Sequence, residues 1–170
     1  MFSFKMIRKL INLGPLILLY YLSISEIDSH FENYFEILSF NIQLIIIYFW
    51  SLKRPEVLGN GHIFFAGLIN DVVVGLPLGL SSMTYLITSL VAAYVKNMTV
   101  NTRITTDWFT FFIAITFSNL LLLILLTNFS EITISFIDMS YNTFFTLIFF
   151  PFFWFLFVYY NSIIASGKNV

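Results

Sequence analysis

One carboxylate constrains this chain more than any other residue. Asp71 lies inside an apolar run within residues 52–82, LKRPEVLGNGHIFFAGLINDVVVGLPLGLSS. A basic, proline-terminated loop leads into the run, and a Gly-Leu-Pro-Leu-Gly turn at Gly75–Gly79 closes it. An acid near a bilayer centre costs about 2.5–3.5 kcal/mol on insertion scales, so it must face protein or a wet cavity rather than lipid. On a helix, Gly67, Asp71 and Gly75 are spaced i, i+4, i+8 and fall within roughly 80° of one another. Glycines one turn to either side of the acid remove the side chains that hold a neighbouring helix away, with the polar group as glue. Asn70, on the flank, can donate to the carboxylate or to a neighbour's backbone. A helix from His62 to Leu76 is only about 22 Å long, short of the roughly 30 Å hydrocarbon core. The turn that holds Pro77 and Gly79 therefore lies below the membrane surface, covered by protein. Asp71 has two readings, an ion, proton or ligand contact and a structural hydrogen bond that locks its segment to a neighbour. The flanking glycines, and the lack of a second acid or a base at that depth, favour the structural one.

The remaining sequence sets this segment in a membrane. Hydrophobic residues make up 59% of the 170 and charged ones 10%, too few polar groups to clothe a soluble core. Six apolar segments, near 7–24, 33–52, 61–76, 80–95, 108–127 and 141–164, are joined by short connections. They predict an all-α, polytopic membrane protein: one domain over 1–170 with six transmembrane helices and both termini cytoplasmic. Charge supports that parity. The inside segments then hold Lys5, Arg8, Lys9, Lys53, Arg54, Lys96, Arg103 and Lys168, all 8 basic residues of the chain. The outside loops hold Glu26, Asp28, Glu32, Glu36, Glu131 and Asp138 and no base, as the positive-inside rule requires. Fusing 61–95 into one span would put Lys96 and Arg103 outside, against that rule. The first segment has a basic start like a signal peptide, but its length and Gly14-Pro15 favour a retained span.

Other features read more plainly. Residues 26–38 place Ile27, Phe31, Tyr34, Phe35 and Leu38 at helical spacing, either an interfacial helix or a solvated lead-in to the second span. Thr99–Asp107 reads as a polar inner connector. Ser118 and Asn119 sit mid-span, where they bond across helices, and the phenylalanines around Pro151 read as a lipid-facing surface. Trp50, Trp108, Tyr159 and Tyr160 fall near the inner interface, with Trp154 deeper. No catalytic set is legible. Asp71 is the one acid read inside a span and cannot form a dyad alone, and Ser81 and Ser82 have no histidine at their depth. Cysteine is absent, His30 and His62 lack ligand-like spacing, and no phosphate-cradling motif occurs. No enzyme, metal or cofactor is expected, and without a basic run longer than Lys53-Arg54 neither is nucleic acid as a partner.

Several of these motifs together resemble a known family. Ile47–Trp50 before Lys53-Arg54-Pro55, then Phe64-Phe65-Ala66-Gly67-Leu68-Ile69-Asn70-Asp71, then Gly75-Leu76-Pro77-Leu78-Gly79-Leu80-Ser81 resemble the rod shape-determining protein MreD family. That family shows a Trp…Pro lead, a (F)xGLxxD segment and a GxPLG turn before a tyrosine-bearing span, for which Tyr85 or Tyr94 could serve. Asn70 departs from it, since an aliphatic residue is commoner before the acid. The resemblance implies a subunit of the bacterial inner (cytoplasmic) membrane that scaffolds wall synthesis during elongation. The partners it implies are an MreC-like bitopic protein, MreB-like filaments, a RodA-type glycosyltransferase with its penicillin-binding transpeptidase, and membrane lipid. The family is also similar to the six-helix substrate-binding subunits of energy-coupling-factor vitamin transporters. That second likeness predicts an outward cavity beneath the 75–82 turn, lined by polar groups.

Overall fold

A computed structural model describes the backbone of residues 2–25, 41–98, 103–129 and 136–166, and the side chains of 11–25, 41–98, 103–128 and 136–164. Among the described residues the chain is helical throughout, with no strand: α1 (Phe2–Ile24), α2 (Ile42–Lys53), α3 (Pro55–Leu58), α4 (Asn60–Val74), α5 (Leu80–Met98), α6 (Ile104–Phe129) and α7 (Phe136–Ser166). The expectations for 26–38, Lys168, Glu131 and the side chains of Lys5, Arg8 and Lys9 lie outside the described residues.

The helix ends depart from the expected segment bounds for local reasons. Asn41 caps α2 by accepting the N–H of Leu44 at 3.1 Å. Pro55 then opens a short helix, α3, where a plain loop was expected, since proline is pre-shaped for a first turn. The third segment stops at Val74 rather than residue 76, because Gly75 takes a left-handed φ of 76°. α6 starts four residues before the expected 108 and brings Asp107 into its first turn. By length and composition α6 (Ile104–Asn128) and α7 (Phe136–Ile164) are candidate membrane spans; Ile11–Ile24, Ile42–Lys53 and Asn60–Val74 are shorter apolar helices.

α2 forms the centre. Every residue from Gln43 to Leu52 is buried, as a helix that is apolar all round requires. It packs on α1, α5 and α7, while α5 packs on α2, α4 and α6. Hydroxyls of α5 reach each of those neighbours. Ser82 Oγ donates to the Phe64 carbonyl of α4 at 2.9 Å, Thr88 Oγ1 pairs with Ser118 Oγ of α6 at 2.9 Å, and Ser89 Oγ pairs with Ser51 Oγ of α2 at 3.0 Å. Hydroxyls used this way tie helices together where apolar contact with lipid would serve as well as contact with protein.

The phenylalanines of α7 divide. Phe152 and Phe155 face outward as expected, but Phe150 and Phe157 are buried. Phe150 stacks on Phe111 of α6 with centroids 4.3 Å apart, and Tyr48 of α2 leans on Phe111 at 5.1 Å. That cluster fastens α7 to the central helix, so the sixth segment is half core and half outer surface.

Candidate functional site

Asp71 closes one helix and opens the next. Its backbone carbonyl accepts the N–H of Leu76 at 2.9 Å and that of Gly75, ending α4 in a left-handed cap. Its carboxylate, with no exposure to solvent, accepts the N–H of Gly79 at 2.7 Å on Oδ2 and of Ser81 at 2.8 Å on Oδ1. Gly79 and Ser81 flank the first residue of α5, so the acid satisfies two of the N–H groups that a helix start leaves open. A carboxylate there also complements the positive end of the helix dipole. Both oxygens are spent inside one hairpin of helices. Asp71 thus clamps its own turn, a local use that the spacing of glycines did not specify.

The glycines serve separate ends. A Cβ on Gly67 would lie 2.4 Å from Ser82 Cα and 2.5 Å from Ser82 N, so α4 and α5 meet backbone to backbone there. Gly75 has open space around it and is needed for its positive φ; Gly79, at φ +100°, is alike. Pro77 is half-buried within the turn, and its carbonyl accepts the N–H of Leu80 at 3.3 Å. Asn70 does not reach the carboxylate. Its Nδ2 donates to Ser81 Oγ at 3.0 Å, and its Oδ1 accepts from Gln43 Nε2 at 3.1 Å, which joins α4 to α5 and α2.

Beside this turn lies a cavity of about 280 Å³ in which Gln43, Asn70, Ser81, Asn119, Asp138 and Asn142 share the lining with Val74, Leu122 and Met139. Leu76 of the turn also lines it. Amides of α2, α4, α6 and α7 converge here, though their spacing in sequence gives no hint of it.

The opposite end holds a second buried acid, which sequence reading missed. Asp107 has no exposure, and its Oδ2 meets Lys53 Nζ at 2.8 Å and accepts the Trp154 indole N–H at 2.9 Å. Asp107 Oδ1 is buried without a hydrogen-bond partner among the described residues. Thr99–Asp107 is therefore not merely a connector, since its last residue pins the end of α2, the start of α6 and the middle of α7. The available signal was an acid one position before an apolar run, in the first turn of a helix. Of the other bases, Arg54 is half-buried with Nε 3.2 Å from Glu56 Oε1, while Lys96 and Arg103 are exposed.

Serine chemistry finds no support in this geometry. Ser81 accepts from Asn70, Ser82 bonds to a carbonyl, and the His62 ring meets Tyr20 at 3.2 Å instead. Among the described residues no group of three or more His, Cys, Asp or Glu is placed to hold a metal ion.

The chain shows no significant similarity to any curated protein or solved structure. A family model described as rod shape-determining protein MreD matches residues 7–164, nearly the whole length. That match takes in the capped turn, the amide cavity and the Lys53–Asp107 pair alike, and with it the chain belongs to the MreD family of rod shape-determining proteins.

Proposed function

We propose that this protein is a non-enzymatic scaffold of lateral wall growth, a multi-pass subunit of the bacterial inner membrane. In this reading α1, α2, α4, α5, α6 and α7 cross the bilayer with both termini in the cytoplasm. The positive-inside distribution of lysine and arginine supports that orientation. The observation that carries the reading is where the polar groups go. Asp71, Asn70, Ser82, Thr88 and Ser89 bond within the bundle, and α6 and α7 turn Phe109, Phe117, Phe152 and Phe155 outward. A molecule built this way acts through its helical surface. The partners that suit it are an MreC-like bitopic protein, the RodA-type glycosyltransferase and its transpeptidase, with MreB-like filaments reached from the cytoplasmic side. Depleting the protein from a rod-shaped host tests the role. Rounding of the cells is the expected result, and rods that persist under complete depletion would refute it.

The amide cavity favours a second reading, the substrate-binding membrane subunit of an energy-coupling-factor type vitamin transporter. A pocket of about 280 Å³ with several convergent polar groups is of a kind that small ligands occupy. A soluble vitamin whose stabilisation of the fold grows with the logarithm of its concentration would support it by mass action.

A further inference from the structure

The amide cavity does not end at its polar wall. An apolar groove of about 390 Å³ between α6 and α7 shares two lining residues with it, Asn119 and Met139. The groove follows α6 from Leu123 to Phe112, about 16 Å along the helix axis, and meets the cavity part-way along, at Asn119. Its outer margin is open, since Phe112, Leu120 and Phe144 are 46%, 52% and 57% exposed. At the junction Asn119 Nδ2 donates to Thr143 Oγ1 at 2.7 Å, which marks where lining chemistry changes from polar to apolar. A chamber that carries several amides and opens into a greasy channel parallel to the helices has the shape of an amphiphile's binding site.

The lining also selects a charge. Among the described residues neither cavity nor groove is lined by a lysine, arginine or histidine, so they offer a net anion no counter-charge. The chamber offers the second amide N–H of Asn70 and of Asn119, whereas Gln43 and Thr84, buried at its wall, already donate to Leu22, Asn70 and Leu80. Asp138 supplies a carboxylate in the first turn of α7, on the exposed side of the chamber. Amide N–H groups can bond phosphate or ester oxygens, and a carboxylate suits an ammonium group.

We propose that the chamber and the groove form one binding site for a zwitterionic membrane lipid. Its aminated headgroup lies among the amides beside Asp138, and one acyl chain lies between α6 and α7. The inference is independent of the scaffold role, which needs no bound lipid. It differs from the vitamin reading in requiring a tail.

The test uses the full chain purified in mild detergent. Native mass spectrometry compares retention of phosphatidylethanolamine and phosphatidylglycerol with matched acyl chains. Several-fold stronger retention of the ethanolamine lipid is expected, and Asp138→Asn should abolish the preference while leaving thermal unfolding unchanged. Thr116→Trp, at an exposed position in the groove, should lower retention of both lipids several-fold, and Leu123→Trp provides an independent block should the first variant fold poorly. Free phosphoethanolamine should leave unfolding unmoved. Equal retention of the two lipids, undiminished retention in a folded groove variant, or stabilisation by the free headgroup or a soluble vitamin equal to that by lipid would each overturn the proposal.

Discussion

Tyr160 donates its hydroxyl to the backbone carbonyl of Ile11 at 2.6 Å, joining the last helix to the first. The carbonyl is open because Pro15, one turn ahead in α1, has no N–H to give it. Gly14 leaves the room, since a Cβ there would come within 2.1 Å of the Tyr160 oxygen. The Gly14-Pro15 pair, an interruption by sequence, is therefore a docking point for α7. Tyr160→Phe should cost about 0.5–1.5 kcal/mol, the net worth of one hydrogen bond. Gly14→Ala should cost a similar amount by displacing the hydroxyl, and the double variant should cost little more than either single one. Unfolding in detergent reads all three, and additive losses would show that the two residues act separately.

Gly67 and Gly75 are expected to fail differently. Gly67→Ala drives a methyl into the Ser82 backbone, where overpacking costs about 1–3 kcal/mol, and Gly67→Leu should prevent the α4–α5 contact. Gly75→Ala meets no atom and should lose only about 1–2 kcal/mol to its left-handed backbone. Gly75→Asn should recover part of that loss, because asparagine tolerates this conformation, whereas Gly67→Asn should recover none. Thermal unfolding of the five variants gives the ranking.

Lys53 and Asp107 should be costly to separate and cheaper to remove together. Either single change, Lys53→Met or Asp107→Leu, leaves the other charge at a mostly buried site, a loss of about 3–5 kcal/mol in comparable pairs. The combined variant should regain much of it, although Trp154 then loses its acceptor. A double-mutant cycle measures the coupling. A coupling near zero would mean that the pair is screened by water.

How much of this was legible follows from the range of each signal. Apolar runs and the placement of bases act over short stretches, so helices near all six expected segments emerge from the residues alone. Helix ends do too, once Asn41, Pro55 and Gly75 are read as caps. Asp71 was visible as a buried acid. Its partners were not, because accepting from Gly79 and Ser81 depends on how a five-residue turn folds back, and a helical wheel ends where the turn begins. Asp107 was hidden for a related reason. It lies beside polar residues in sequence and becomes buried only when α2 and α7 close over it. The amide cavity draws on residues from Asn41 to Asn142, a convergence that no local pattern encodes.

The two acceptors of Asp71 set the sharpest prediction. Asparagine keeps one carbonyl oxygen but turns an NH2 toward the second backbone N–H, so Asp71→Asn should lose about 1–3 kcal/mol and still fold. Asp71→Leu loses both bonds and should leave α5 uncapped, with little folded protein recovered. The deciding measurement is cell shape in a rod-shaped host depleted of the native protein and supplied with Asp71→Asn, expressed until the folded, membrane-inserted amount matches the native level. Rods are expected, because a cap that still forms supports the same surface. Round cells at that matched level would contradict a structural Asp71 and assign the carboxylate a direct part in function.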